Sequence, residues 1–343
     1  MLDALVSLVA NPFAAGAALL HVVLAPLLGA TLAAFAIGIV GAVILLGVTP
    51  ASVLFWVYAE RRVMARLQAR IGPNRVGPFG ILQTFADTLK LLTKEDLIPA
   101  QADRWVFVLA PVVVVVPALL VFAVIPFGPG VVLADLDIGL LYLVAIGSIS
   151  TVGLVMAGWA SNNKYSLLGG MRAAAQAISY QRPLGLAAVG VVVLAGSLSL
   201  QAIAEAQRGG IAETNRTPFD LVEGESELVG GYHTEYSGMR FALFFLAEYM
   251  HAFALAAATT VLFFGGWYGP PIVGILLPPW LWFALKCLLF MLVLFWIRAT
   301  LPRLRVDQLM GFGWKVLLPL ALLNVFVAGV EAEVWRMFGL RQM

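Results

Sequence analysis

Charged side chains are scarce in this chain. Asp, Glu, Lys and Arg make up 12% of its 343 residues, and none occurs between Asp3 and Glu60. A soluble domain carries about 25% charged residues, so this composition argues against one. Hydrophobic residues reach 62% and the mean hydropathy is +0.95. The longest apolar runs exceed the roughly 20 residues that a helix needs to cross a bilayer. The sequence therefore predicts an integral membrane protein.

Cysteine is almost absent as well. Cys287 is the one cysteine of the chain and lies inside an apolar run. A disulfide framework is thereby excluded, and so is a cysteine-ligated metal cluster within the chain. The three histidines are scattered and have no cysteine beside them, so we predict neither a metal site nor a redox cofactor in this chain. No basic tract stands free of the predicted membrane loops, which argues against a nucleic-acid partner.

The apolar runs predict the architecture. In lipid every backbone polar group must be satisfied internally, which favours helices. We expect an all-α polytopic transmembrane bundle of about 7–8 spans, forming a single membrane domain over residues 1–343, with an amphipathic interfacial helix and two long cytoplasmic loops. The first run, 14–59, is either one tilted helix with an interfacial lead-in or a close helical pair. The later spans are expected at 105–125, 139–157, 183–200, 241–264, 280–297 and 316–330.

Basic residues predict the orientation of the bundle. The loop 61–104 is the most basic stretch, and predicted loops at 164–172 and 298–305 also carry arginine. The loop before residue 139 carries Asp135 and Asp137 but no base. Because cytoplasmic loops are enriched in Lys and Arg, we place the three basic loops in the cytoplasm. The Ala-, Gly-, Val- and Arg-rich usage suggests a bacterium, hence a multi-pass protein of the cell (inner or plasma) membrane.

The first basic loop carries one of two chemical signals. Arg61 and Arg62 end the first span, and a turn rich in Gly and Pro follows at 70–80. Apolar residues at helical spacing over 81–92 predict an amphipathic helix in the membrane interface. Physics alone leaves two interpretations open. The loop either anchors lipid headgroups or forms a mouth for an amphipathic substrate carried in the bilayer.

A second loop, 211–240, is acidic and continues into the next span. Carboxylates this close cannot all stay ionised in a partly desolvated site, so the cluster is typical of a proton relay. A solvated acidic face is the alternative. Glu248, about eight residues into an apolar span, favours the relay, with Lys286 as its expected counter-charge, although a structural ion pair stays open. The acids are Glu213, Asp220, Glu223, Glu225, Glu227, Glu235 and Glu248.

Several long motifs resemble one family. The chain is similar to the H subunit (subunit 1) of respiratory NADH–quinone oxidoreductase, complex I. The resemblance covers about residues 55–320 and implies the membrane floor and entry of a quinone chamber, with ubiquinone or menaquinone as substrate. It also implies partner subunits, namely hydrophilic subunits that hold flavin and iron–sulfur clusters and further subunits of the membrane arm. The motifs are Glu60-Arg-Arg62, Arg70 to Gly80, Gly158 to Gly169, Glu213 to Asp220 and Arg298 to Arg305.

The resemblance also implies residue roles. The seven acids named above would form the first part of a carboxylate relay that couples quinone reduction to proton translocation. Arg61, Arg62 and Arg216 would organise these acids and the quinone path. Two other classes stay open: a homologous subunit of a ferredoxin- or hydrogenase-linked complex without quinone, and a stand-alone ion–proton antiporter. A purely structural anchor is the third alternative.

The chain departs from the family pattern at two places. Where the family has Ile-Ser-Tyr-Glu, this chain has Gln181 followed by Arg182, so one relay acid is replaced and a base is added. No run of about 20 apolar residues fits between Leu200 and Glu213, although the family has a span there. Either the span 183–200 is re-entrant, or a partner supplies the helix, or roughly 20 residues are missing. We expect 213–235 to lie on the same membrane face as 61–94.

Overall fold

A computed structural model describes residues 12–207, 231–269, 277–301 and 305–338 of the chain. Regular structure in this part of the chain is helical, and a single turn of π-helix, Gly313–Leu317, links the last two helices. The helices are α1 Pro12–Leu28, α2 Ala30–Leu67, α3 Gln83–Thr93, α4 Arg104–Leu120, α5 Gly139–Ala160, α6 Lys164–Ala195, α7 Leu200–Ala206, α8 Gly238–Phe263, α9 Pro279–Thr300, α10 Val306–Phe312 and α11 Leu318–Met337.

Membrane-spanning helices dominate the fold. Seven helices of the described part are long and apolar enough to cross a bilayer: α2, α4, α5, α6, α8, α9 and the continuous α10–α11 unit. Their outer surfaces carry exposed large apolar side chains such as Phe35, Val152 and Phe326, which suits contact with lipid. The prediction of an all-α polytopic transmembrane bundle is confirmed.

The first apolar run forms a helical pair. Helices α1 and α2 are separate, contact each other, and meet at Gly29, whose φ of 82° lies in the left-handed region that glycine tolerates. Of the two alternatives for this run, the close pair is therefore the one that the structure shows. The predicted amphipathic segment is also confirmed, as α3.

The predicted loop at 164–172 is wrong, because these residues open helix α6. The Asn163 side chain caps the helix by accepting a hydrogen bond from the Tyr165 backbone N–H at 2.9 Å. From there α6 continues for 32 residues to Ala195, about 48 Å at 1.5 Å per residue. A helix of this length and hydropathy is long enough to cross a bilayer. Residues 183–195 belong to this continuous helix, which argues against a re-entrant span at 183–200.

Connecting segments gather at two ends of the bundle. At one end, which we call the basic end, residues 68–103, 161–163 and 231–237 are joined to one another. The Asp103 N–H donates to the Ala160 carbonyl at 3.1 Å, and the Leu97 N–H donates to Ser237 Oγ at 3.0 Å. The bases named in the sequence from Arg61 to Arg104 lie at or near this end.

At the opposite end, which we call the far end, the turn after α6 meets the start of α5. The Leu140 N–H donates to the Leu198 carbonyl at 3.0 Å, and Ser199 Oγ lies 3.3 Å from Asp135 Oδ1. Gln207 also lies here, because its side chain accepts from the Gly265 N–H at 2.8 Å. Gly231 lies at the basic end. Residues 207 and 231 are therefore on opposite ends, and residues 208–230, which connect them, are outside the described residues.

Small residues bring the central helices close together. At Gly153 on α5, an added Cβ would lie 2.5 Å from Val114 Cγ2 and 3.1 Å from the Ala110 carbonyl oxygen of α4. Only glycine permits this approach, which is the usual way for membrane helices to pack tightly. Aromatic side chains fill the rest of the core, with Phe107, Phe122 and Trp267 almost fully buried. The closely packed helices α4 and α5 lie beside helix α8, which α4 contacts.

Candidate functional site

Three spans meet at a group of ionisable side chains near the basic end, which we call the carboxylate cluster. It consists of Glu60 on α2, Glu248 and Tyr249 on α8, and Arg298 on α9. Arg298 Nη1 lies 3.1 Å from Glu60 Oε1 and 3.8 Å from Glu248 Oε1. The Tyr249 hydroxyl donates to Glu60 Oε2. Glu60 is only 5% exposed, so its charge is held inside the bundle by these partners.

The cluster brings two carboxylates to one guanidinium. Arg298 lies within ion-pair distance of both Glu60 and Glu248. A buried carboxylate without a partner costs several kcal/mol, so the pairing with Arg298 stabilises Glu60 inside the bundle. The side chain of Glu248 is 32% exposed and depends less on this pairing.

Glu235 occupies a different place at the basic end. Asn163 Nδ2 donates to Glu235 Oε1 at 2.6 Å, which ties the start of α8 to the start of α6. The carboxylate lines an open polar cavity of about 660 Å³ together with Gln101, Asn162 and Lys164. The structure thus places Glu235 at the open cavity of the basic end and Glu248 between the spans, where its side chain is 32% exposed. It brings Glu235 to the same end as the loop 61–104, as expected.

Tyr236, the residue after Glu235, packs against α4. Its ring stacks on Phe107 with centroids 4.0 Å apart, and its hydroxyl donates to the Phe107 carbonyl at 3.2 Å. Burial raises the pKa of the Tyr236 phenol far above its usual range, and the nearby Arg240 guanidinium opposes this shift only in part. Tyr236 therefore stays neutral and acts as an anchor. Arg240 itself pairs with Asp96 at 3.1 Å.

The two arginines at the end of α2 hold the first loop. Arg61 Nη1 lies 2.5 Å from Asp87 Oδ2 on α3, so it fixes the amphipathic helix to the bundle. Arg62 Nη1 donates to the Phe79 carbonyl at 2.6 Å and to the Tyr58 hydroxyl at 2.9 Å. The family resemblance implied that both residues organise the quinone path. What the structure shows is that they position the loop.

The Gly- and Pro-rich turn folds tightly beneath Arg62. At Gly80, with φ of 76°, a Cβ would lie 2.4 Å from the Pro73 carbonyl atoms, so only glycine allows the two backbone segments to cross here. Helix α3 follows directly. It exposes an apolar face, as expected of a helix in the membrane interface. The exposed residues on and next to this helix are Ile81, Leu82, Phe85, Leu89 and Leu92.

Most of the predicted relay residues of the second loop lie outside the described residues. These are Glu213, Arg216, Asp220, Glu223, Glu225 and Glu227. The prediction that Lys286 is the counter-charge of Glu248 is wrong. Lys286 Nζ instead donates to the carbonyls of Phe264, Gly266 and Tyr268 at the far end. Arg298 takes the place next to Glu248 instead.

Sequence reasoning identified Glu248 but missed the other three members of the carboxylate cluster as site residues. Glu60 and Arg298 stood inside motifs that were recognised, but they were treated as a span end and as an orientation signal. Their position at the inner ends of apolar spans was the available clue, because a charge there needs a partner. Tyr249 gave no such signal. No group of three His, Cys, Asp or Glu that could hold a metal occurs in the described ranges.

Comparison with known proteins shows the family of the chain. A family model described as NADH dehydrogenase matches residues 39–329, most of the chain. The chain belongs to this family. The NADH-quinone oxidoreductase H subunit of Dehalococcoides mccartyi (strain CBDB1) is 53% identical over 305 residues, covering 84% of this chain and 85% of the relative. The H subunits of Brevibacillus brevis (53%, covering 85% and 92%) and Anoxybacillus flavithermus (51%, covering 88% and 94%) are similar to the same extent.

The aligned lengths show that these relatives are longer within the matched region. The alignment with the Dehalococcoides protein has 305 positions, whereas 84% of 343 residues is about 288, so about 17 positions have no counterpart in this chain. This difference is close in size to the roughly 20 residues that one of the three alternatives above takes to be missing before Glu213.

Proposed function

We propose that this chain is the membrane subunit of a bacterial proton-translocating NADH–quinone oxidoreductase, located in the cell membrane with its basic end in the cytoplasm. In this proposal it forms the floor and entry of the quinone chamber and the first part of the proton relay. The observation that carries the proposal is the carboxylate cluster, in which Glu60 and Glu248 share Arg298 between three membrane spans.

The first loop supports a role in quinone entry. Helix α3 exposes an apolar face at the basic end, and Arg61 and Arg62 bind this loop to the bundle. A lipid-borne quinone has an apolar tail and a polar headgroup, so its path must pass an amphipathic surface of this kind. The alternative that the loop only anchors lipid remains an outcome of the test below.

The chemistry of quinone reduction explains why the cluster lies near the basic end. Electrons arrive from an iron–sulfur cluster of a partner subunit, and each quinone reduced to quinol takes up protons in a chamber of low dielectric. The charge created there acts strongly on ionisable groups nearby. Glu60 and Glu248 can respond by exchanging a proton and the shared cation Arg298. The cluster would thereby turn a redox event into proton movement within the membrane.

The names of the relatives favour this proposal over its alternatives. The relatives in the comparison are called subunits of NADH-quinone oxidoreductase, and the match covers the first loop and the carboxylate cluster alike. A homologous subunit of a ferredoxin- or hydrogenase-linked complex would share the bundle and have no use for the quinone entry. An antiporter would transport ions as an isolated chain.

Substitution of single acids tests the proposal. We expect Glu248→Gln to leave the complex assembled but to impair coupled NADH–quinone oxidoreduction, because Gln keeps the shape and removes the titratable group. General acid–base groups contribute about 10²–10⁴-fold to rates, so the loss should be large. Glu333→Gln is the matched control: Glu333 is an acid on α11 that is 62% exposed. Activity and proton pumping would be measured in membrane vesicles.

The same experiment extends to the loop acids. Glu235→Gln, and Glu227→Gln from the sequence prediction, should reduce coupled turnover in the same way without loss of assembly. Normal coupled turnover of Glu248→Gln in fully assembled membranes would contradict the relay role. A loss of quinone reduction alone, with pumping per electron unchanged, would limit the cluster to quinone binding.

A further inference from the structure

A second polar pair lies deeper in the bundle, on the next turn of α8. His251 Nε2 is 2.8 Å from Ser150 Oγ of α5. Both residues are near the middle of their helices, which span 26 and 22 residues. A histidine at mid-membrane depth is costly to place there, so it calls for either a functional role or a fully satisfied structural one.

The contacts of Ser150 favour one tautomer of the ring. When the Ser150 hydroxyl donates to the Val114 carbonyl of α4 at 3.3 Å, its oxygen accepts from His251 Nε2–H at 2.8 Å. A neutral imidazole carries one N–H, and the other nitrogen is then an acceptor. Nδ1 of His251 is therefore the atom that can take up a proton. The close packing of α4 and α5 at Gly153 fixes the position of the Ser150 oxygen.

His251 lies close to the carboxylate cluster along helix α8. Glu248 and His251 are three residues apart on α8, and side chains at this spacing are neighbours on one helix face. Helices α4 and α5 carry no charged residue at this depth; between them only Arg104, at the basic end, is charged. The ionisable groups nearest in the chain to His251 on α8 are Tyr249 and Glu248, and Arg298 of α9 lies beyond Glu248.

We propose that His251 is a further proton-carrying residue of this subunit, exchanging a proton between Nδ1 and the Glu248 carboxyl group while Ser150 positions the ring. The inference rests on the proposed relay function. In the transfer, the O–H bond of protonated Glu248 breaks and an N–H bond forms at Nδ1, giving a carboxylate and an imidazolium. No electron moves, and the return step reverses both bonds.

Existing partners stabilise the transferred state. Arg298 is 3.8 Å from Glu248 and favours its ionised form. The imidazolium keeps its Nε2–H bond to Ser150, which becomes charge-assisted and stronger. Because the proton moves within the Glu248–His251 pair, the net charge of the bundle does not change. The pair would store a proton one helical turn deeper than the cluster.

Substitutions in the assembled complex separate this role from a structural one. His251→Gln places an amide N–H near the position of Nε2, so the bond to Ser150 is retained and the titratable nitrogen is lost. We expect assembly and uncoupled NADH–quinone activity equal to those of the control His233→Gln, with fewer protons pumped per electron. His233 is the matched control because it lies at the basic end, packed against Tyr232 and Phe241.

Ser150→Ala provides a second variant that removes one oxygen atom and adds no bulk. We expect it to lower protons per electron too, by releasing the ring, and it decides the question if His251→Gln fails to assemble. Pumping equal to the control in every assembled variant of this pair overturns the inference. If Glu248→Gln still stops pumping, the proposed function stands without His251. If Glu248→Gln also pumps normally, the proposed relay function itself is wrong.

Discussion

Some charged side chains in this protein bind the backbone carbonyls at helix ends rather than side chains of opposite charge. Lys286 illustrates this at the far end, where its ammonium group donates to three carbonyls that follow the C-terminus of α8, at 2.5, 3.0 and 2.5 Å. The last carbonyls of a helix have no partner within the helix, and a cation is favoured there. Lys286 therefore closes α8 and joins it to α9.

Removing this cation should destabilise the bundle. We expect Lys286→Met to lower the free energy of unfolding by about 1–3 kcal/mol, because three carbonyls at the far end lose their donor. Reduced amounts of assembled complex and a lower Tm in detergent would be the measured result. Lys315→Met, at an exposed position of the π-helical turn, is the control. Equal stability of the two variants would show that the capping contacts contribute nothing.

At residues 181–182 the chain departs from the family pattern, and the structure shows what Arg182 contacts there. Arg182 lies over the Trp314 ring at 5.0 Å, next to the π-helical turn, and Gly313 packs against Ser179 of α6. π-helical turns are rare and often occur at functional sites. Arg182, the base that this chain adds to the family pattern, therefore makes a cation–π contact with Trp314. Such an interaction contributes about 0.5–1 kcal/mol at exposed sites.

Restoring the family pattern tests whether this position belongs to the relay. We expect Gln181→Glu with Arg182→Ile to increase protons pumped per electron, because a titratable acid returns and a competing cation leaves. The single variant Arg182→Ile controls for loss of the Trp314 contact. An unchanged proton-to-electron ratio in the double variant would count against a relay role for residue 181.

At the scale of elements, the described helices create a topological requirement. Helix α7 ends at the far end, where Gln207 donates to the carbonyls of Val261 and Leu262 at 3.0 and 2.8 Å. The segment 231–237 lies at the basic end, where Ser237 contacts Leu97. The described residues on either side of 208–230 therefore lie at opposite ends of the bundle.

Cysteine accessibility tests this topology directly. We expect a membrane-impermeant maleimide to label Ala206→Cys from the outside of cells, and Thr234→Cys only in inverted vesicles. The unmodified chain is the control, because its single cysteine, Cys287, is 1% exposed. Labelling of both positions from the same side would refute the assignment of opposite ends. It would also remove the basis for counting the membrane crossings of the chain.

At the scale of the whole molecule, α2 and α11 carry large exposed apolar surfaces, which suit contact with lipid or with other membrane subunits. We expect mild-detergent purification of a tagged chain to recover iron–sulfur and flavin-containing subunits, seen by absorption and electron paramagnetic resonance. The same chain reconstituted alone in liposomes should transport neither protons nor sodium ions. Ion exchange by the isolated chain would favour the antiporter alternative and contradict the assignment to a respiratory complex.

The sequence by itself determined the fold class. A chain with 62% hydrophobic residues and 12% charged residues has no stable arrangement in water, and lipid leaves helices as the way to satisfy its backbone. The amphipathic helix α3 was equally readable, because its pattern is local and repeats every turn. Motif order was enough to indicate the family. These features depend on composition and near neighbours in the chain.

Tertiary structure alone decided which charges meet. Arg298 and Lys286 lie on the same helix, and the sequence could not tell which of them faces Glu248. The choice depends on the depth and rotation of α9 against α8, which puts Arg298 beside Glu60 and Glu248 and puts Lys286 at the far end. The pairing of His251 with Ser150 arose in the same way, from close packing of helices that are distant in sequence. Contacts between helices follow from shape and packing, which no periodic pattern encodes.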